Sequence, residues 1–136
     1  IGISEITPIL CDHSERKTIK TDRFERVLQS AMKQSLQFHL PKLNVLTPFS
    51  EVIGQNFEGQ KFVAHCEDDK KRLPMQNEIT SNRLTILIGP EGDFSLEEIQ
   101  QALDYNWLPV TLGNTRLRTE TAGIVATTIA NLKFTD

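Results

Sequence analysis

Two apolar runs, Arg83-Leu84-Thr85-Ile86-Leu87-Ile88 and Leu108-Pro109-Val110-Thr111-Leu112, each lead into a glycine-bearing loop and then into a helical pattern. This repeated order of strand, loop and helix constrains the fold more than any other feature of the chain. Near-continuous apolar and β-branched runs fit strands covered on both faces, as in a mostly parallel sheet with helices on either side. Ligands of open α/β sheets settle outside the carboxyl ends of the strands, so the two loops are the candidate site.

The first loop is Ile88-Gly89-Pro90-Glu91-Gly92-Asp93-Phe94. Gly89 and Gly92 remove side chains where a ligand could approach the backbone, and Pro90 stiffens the turn between them. Ser95-Leu96-Glu97-Glu98 then reads as a capping box, opening a helix with Leu96, Ile99, Leu103 and Trp107 on one face. The second loop runs from Leu112-Gly113 through Asn114-Thr115-Arg116-Leu117-Arg118 to Thr119-Glu120-Thr121-Ala122. Thr119, Glu120 and Thr121 supply acceptors for the free N–H groups of a helix start. Helix capping accounts for these residues but not for Arg116 and Arg118, which share a face if the stretch is extended. The helix that follows places Ala122, Val125, Ala126, Ile129 and Leu132 or Phe134 on its apolar side.

Upstream, residues 1–10 read as a helix end and a strand around Pro8. A helix opens near Thr21, with Asp22 and Glu25 placed to cap it reciprocally and a buried stripe of Phe24, Val27, Leu28, Ala31 and Ser35. Pro41 stops it, Lys42 to Leu46 suits a short strand, and Thr47-Pro48 starts a brief helix. Gln60 to Cys66 is the next strand, and Lys70 to Asn82 reads as a flexible connection.

A chain of 136 residues with 38% hydrophobic and 24% charged residues suits one domain spanning residues 1–136. No apolar run is long enough to cross a bilayer as a helix. Fifteen Lys and Arg against eighteen Asp and Glu leave a net charge of -3, which gives no bulk attraction to a phosphate backbone. Local basic patches are Arg16-Lys17 with Lys20 and Lys70-Lys71-Arg72, although short charge runs of this kind are ordinarily solvated loop. Two cysteines make no disulfide framework and point to a reduced, cytoplasmic setting. Cys11-x-His13 and His65-Cys66 have no zinc-site spacing, so no metal is expected. The absence of a Gly-x-Gly-x-x-Gly or Walker motif argues against a dinucleotide or nucleotide-triphosphate site.

Ile88-Gly89-Pro90-Glu91-Gly92, Leu112-Gly113 and Leu117-Arg118-Thr119-Glu120-Thr121-Ala122 together resemble the signature of the SPOUT-class methyltransferases that methylate N3 of a uridine in small-subunit ribosomal RNA. The resemblance extends through Glu5-Ile6-Thr7-Pro8, Glu25-Arg26, Ala31, Gln34-Ser35 and Pro41, covering nearly the whole chain. It implies a SPOUT-type α/β fold with a C-terminal trefoil knot, a homodimer, S-adenosylmethionine as cofactor and small-subunit ribosomal RNA as substrate. Because the chain begins at Ile1, it is expected to be a fragment. Family members carry a small RNA-binding β-barrel and the opening strand and helix of the catalytic domain before this point.

Carried onto this sequence, the resemblance implies a cofactor site at His65, Ile88, Gly89, Pro90, Glu91, Gly92, Leu112, Gly113, Leu117, Arg118, Thr119, Thr121 and Ala122, with Glu67 a further neighbour. Arg118, Arg26 and Glu120 are the expected catalytic groups, Glu120 also suiting a cap, and Glu91 is a further carboxylate near the pocket. Many members have a second glycine where this chain has Asp93, and a carboxylate facing the pocket there would alter its charge in favour of a sulfonium. Many also have an arginine at the position of Gln37. A target nitrogen on a Watson–Crick edge requires an unpaired or flipped uridine. The alternative is a non-catalytic RNA-binding or assembly domain of the same fold.

Overall fold

The computed structural model of the protein describes residues 4–13, 21–34, 40–65, 72–90, 92–113 and 117–134. Its centre is a four-stranded parallel sheet of β5 (Gln60–Ala64), β6 (Leu73–Pro74), β7 (Leu84–Ile88) and β8 (Leu108–Thr111), in the order β6-β8-β5-β7. Two short parallel pairings lie outside it: β1 (Glu5–Ile6) with β3 (Lys42–Leu43), and β2 (Ile9–Leu10) with β4 (Thr47–Pro48). The helices are α1 (Thr21–Gln34), α2 (Phe49–Ile53), α3 (Leu96–Asp104) and α4 (Thr119–Phe134), with one 3₁₀ turn at Met75–Asn77. Among the described residues no helix is long and apolar enough to cross a membrane.

The alternation of strand side chains divides the core into two layers. Val63 and Leu87 face Phe49, Val52, Ile53, Phe94, Ile99, Ala102 and Trp107, the layer covered by α2 and α3. Phe62 and Val110 face Met75, Ile79 and Ala126, with Leu84, Ile86, Ile88 and Ile129 packed around them, the layer covered by α4 and the 3₁₀ turn. The expected mostly parallel sheet with helices on both faces is therefore present. Trp107, 1% exposed, closes the first layer. Its Nε1 donates to the Ile53 carbonyl at 3.1 Å, and its ring meets Phe57 edge-on at 5.6 Å.

The start of β5 is set by close backbone approach. Gly59 has φ +81°, and a Cβ built there would stand 1.9 Å from the Arg83 carbonyl oxygen. That carbonyl accepts the Gln60 N–H at 2.9 Å, which begins the β5–β7 ladder. The Gln60 side chain donates to the Glu78 carbonyl and accepts from Thr80 N and Ser81 N, binding the approach to β7 onto β5.

Several sequence expectations are corrected. Residues 72–82 are ordered, not a flexible connection: Leu73 and Pro74 pair with Val110 and Thr111, and Met75 and Ile79 are buried in the second layer. The brief helix starts at Phe49, with Pro48 extended at its N-cap. Leu96 is 54% exposed, because the buried face of α3 runs through Glu98, Ile99 and Ala102. Helix α1 forms where expected, but Val27 is 59% exposed and Ala31 is exposed, so this part of its apolar stripe faces outward in the single chain. On α4, Ala126 is buried and Ile129 partly so, whereas Leu132 is exposed. The side chains of Asp22 and Phe24, and Ser35 and Gln37 altogether, lie outside the described residues.

Candidate functional site

An open cleft sits at the carboxyl ends of β5, β7 and β8. Its wall is Ala64 and His65 after β5, Ile88, Gly89, Pro90 and Asp93 after β7, and Val110 to Gly113 along β8. Leu117, Thr119 and Ala122 close it from the head of α4, and Arg72 stands at its edge before β6.

The two loops are joined directly. Thr119 Oγ1 donates to the Gly89 carbonyl at 2.8 Å, so the head of α4 is held against the end of β7. Ala122 N–H donates to the Arg118 carbonyl at 2.8 Å, which places Arg118 at the first turn of α4, between the cleft residues Leu117 and Thr119. Gly113, at φ +149°, has no atom within 4 Å of a built Cβ, so the backbone there is open to an incoming group.

The β7 loop turns tightly. Asp93 N–H donates to the Pro90 carbonyl at 2.8 Å, and Asp93 itself has φ +63°, in the left-handed region that few side chains other than those of Asn and Asp adopt readily. Its Oδ1 lies 3.0 Å from where a Gly89 Cβ would be, so the carboxylate fills the space that this glycine leaves. From outside, His13 Nδ1 lies 3.0 Å from the Gly92 carbonyl and 3.2 Å from that of Asp93. Both partners are acceptors, so Nδ1 carries the proton and donates. The preceding residue extends this strap: Asp12 N–H donates to Glu98 Oε2, and Ser95 Oγ donates to Asp12 Oδ2. Ser95 and Glu98 cap α3 reciprocally, as their spacing predicts.

Among the described residues, the charged members of the wall are Arg72 and Asp93. Arg72 Nη1 donates to the His65 carbonyl at 2.6 Å, while the His65 ring is 3% exposed beneath it. The rest of the wall is aliphatic, with the Thr111 and Thr119 hydroxyls among it. Such a surface offers an apolar seat for a flat ring and opposite charges for a ligand that carries both signs.

The structure brings together His65, Ile88, Gly89, Pro90, Leu112, Gly113, Leu117, Thr119 and Ala122 from the residues singled out in the sequence. Gly92 lies elsewhere: it is exposed, and a Cβ there would meet the His13 side chain at 2.9 Å, not the cleft. Arg118, Glu120 and Thr121 are exposed on the first turn of α4, beside the cleft but not in its wall. Arg26 is exposed on α1 and is also absent from the wall. Glu91, Glu67, Cys66 and Arg116 lie outside the described residues, as do Arg16, Lys17, Lys20, Lys70 and Lys71. Ala64, Arg72, Val110 and Thr111 were not anticipated as wall residues. For Ala64 and Thr111 the signal was available, since each ends a strand next to an anticipated residue, and Val110 precedes Thr111 in β8; Arg72 sits in a basic run that reads as solvated surface.

A family model described as RNA methyltransferase domain matches residues 1–131. The ribosomal RNA small subunit methyltransferase E of Buchnera aphidicola from Acyrthosiphon pisum is 30% identical over 143 residues, covering 100% of this chain and 56% of that relative. A crystal structure of a probable rRNA-methyltransferase from Porphyromonas gingivalis is 39% identical, with a TM-score of 0.89 over 97% of this chain and 57% of that one. The ribosomal RNA small subunit methyltransferase E of Neisseria gonorrhoeae, solved bound to S-adenosyl methionine, is 26% identical with a TM-score of 0.80, covering 97% of this chain and 55% of that one. The chain thus spans little more than half the length of these relatives.

Proposed function

Because the chain belongs to the RNA methyltransferase domain family, we propose that it transfers a methyl group from S-adenosylmethionine to N3 of a uridine in small-subunit ribosomal RNA. The observation that carries this reading is the cleft at the carboxyl ends of β5, β7 and β8, closed by the hydrogen bond from Thr119 to Gly89. Its wall fits the cofactor chemically: Ile88, Val110, Leu112 and Leu117 suit the adenine, backbone groups of Gly89 and Gly113 are open to polar atoms, Arg72 suits the carboxylate of the amino-acid end, and Asp93 supplies an acid for a cationic ligand.

S-adenosylmethionine, when bound, supplies a methyl group already activated on a sulfonium. The protein's task is then to align the uracil nitrogen with that carbon and to help remove its proton. Arg118, exposed at the head of α4 beside Leu117 and Thr119, is assigned the stabilisation of the negative charge that develops on the uracil carbonyls. Arg26 is assigned to the same substrate from α1. Glu120 sits on the first turn of α4, where a carboxylate also favours the helix N-terminus, so it has a structural task beside any role in taking the N3 proton.

The wider reading includes a C-terminal trefoil knot, a homodimer and a cytoplasmic setting. The outward apolar positions Val27 on α1 and Ile124 and Leu132 on α4 support pairing of two copies. The test of function is methyl transfer from radiolabelled S-adenosylmethionine to small-subunit RNA, followed by digestion to nucleosides. Label in 3-methyluridine is the expected result. Cofactor binding without transfer by the folded protein would instead identify a binding or assembly domain.

A further inference from the structure

Resting on the cofactor reading of the cleft, we propose that Asp93 discriminates the methyl donor from its spent product by charge. S-adenosylmethionine carries a positive sulfonium and S-adenosylhomocysteine a neutral thioether; the ammonium, carboxylate and adenosine are common to both. A carboxylate in the wall that acts on the sulfonium holds the donor and loses its grip once the methyl has left.

Three observations place the carboxylate for this task. Asp93 belongs to the cleft wall. Its Oδ1 occupies the space beside Gly89, on the strand end to which Thr119 is bonded, so the charge sits at the junction of the two cofactor loops. Its backbone is held at φ +63° by the turn from Pro90 and by the His13 strap on the carbonyls of Gly92 and Asp93. A conformation that glycine would adopt without a side chain is here used to present an acid, and unusual backbone kept by its surroundings is a pointer to function. Arg72, the other charged wall residue among those described, donates to the His65 carbonyl.

The test is calorimetric titration of the full 136-residue chain with S-adenosylmethionine and with S-adenosylhomocysteine, for the wild type, Asp93→Asn and Asp93→Gly. Asparagine keeps the shape and tolerates the left-handed backbone, and glycine relieves it, so the pair separates charge from strain. An opposite charge a few ångströms away favours a cationic form by one or more powers of ten, so the ratio of the two Kd values should move at least about tenfold towards the product in both variants. Equal weakening of both ligands would overturn the proposal, because the carboxylate would then be acting on a group the two share. An unchanged ratio with unchanged affinities would overturn it too, leaving Asp93 as a turn residue. A folded wild type that binds neither ligand would remove the cofactor reading itself, and this inference with it.

Discussion

The Thr119 hydroxyl and the Gly89 carbonyl, 30 residues apart in the chain, meet at 2.8 Å and tie the start of α4 to the end of β7. Each partner sits in the wall of the cleft, so the bond joins two of its sides. Thr119→Val keeps the side chain's shape but removes the donor, and should cost about 1 kcal/mol of stability. Affinity for S-adenosylhomocysteine should fall with it, and Thr119→Ser should restore both. Urea unfolding and calorimetry on the same three proteins would check this.

Gly59 should tolerate no side chain. With φ +81° and the Arg83 carbonyl 1.9 Å from a built Cβ, Gly59→Ala must push β5 off β7 or bend the turn. A loss of about 3 kcal/mol or more is expected. Gly113→Ala is the contrast, since its φ is +149° but nothing lies within 4 Å of a Cβ. That variant should lose only the smaller backbone cost of about 1 kcal/mol. The separation of the two urea midpoints is the measurement.

Glu98 uses both of its oxygens, one on Ser95 N–H at 2.9 Å and one on Asp12 N–H at 3.1 Å. Glu98→Gln turns one acceptor into an NH₂ facing a backbone N–H in a buried setting, with an expected cost of about 1–3 kcal/mol. Because Asp12 precedes His13, the strap on the β7 loop should loosen as well. Thermal denaturation reads the first effect, and amide hydrogen exchange at Gly92 and Asp93 reads the second.

Arg118 stands beside the cleft but outside its wall, so Arg118→Ala should separate chemistry from cofactor binding. Methyl transfer should fall by about a hundredfold or more if the guanidinium meets charge formed only in the transition state. The Kd for S-adenosylhomocysteine should stay within about twofold, because ground-state cofactor contacts are untouched. A parallel loss in both would place Arg118 in the cofactor site instead.

The parts of the fold legible in the sequence were those written in local pattern. The β7 and β8 runs, the glycine loops after them and the Ser95–Glu98 capping box all express dihedral preference or periodicity over a few residues. The segment holding Met75 and Ile79 was not legible, because two buried side chains among polar neighbours show no period. On α3, helical spacing placed Leu96 on the buried face beside Ile99, but the capping box turned Glu98 inward instead. For the site, glycines and strand ends marked most of the wall. Arg72 escaped because its place follows from β6 lying beside β8, a pairing between distant segments. That His13 stands against Gly92 was not legible either, because it comes from 79 residues earlier.

The strand order β6-β8-β5-β7 also governs when this molecule can exist during its own synthesis. As the chain leaves the ribosome, β5 and β7 can pair early, but β6 has no neighbour in the sheet until Leu108–Thr111 emerges and slots between it and β5. The second core layer stays open until α4 follows. A nascent chain halted before residue 108 therefore has half a sheet and no cleft, with Met75 and Ile79 exposed to solvent. The cleft forms only once Leu117, Thr119 and Ala122 have followed the last strand of the sheet.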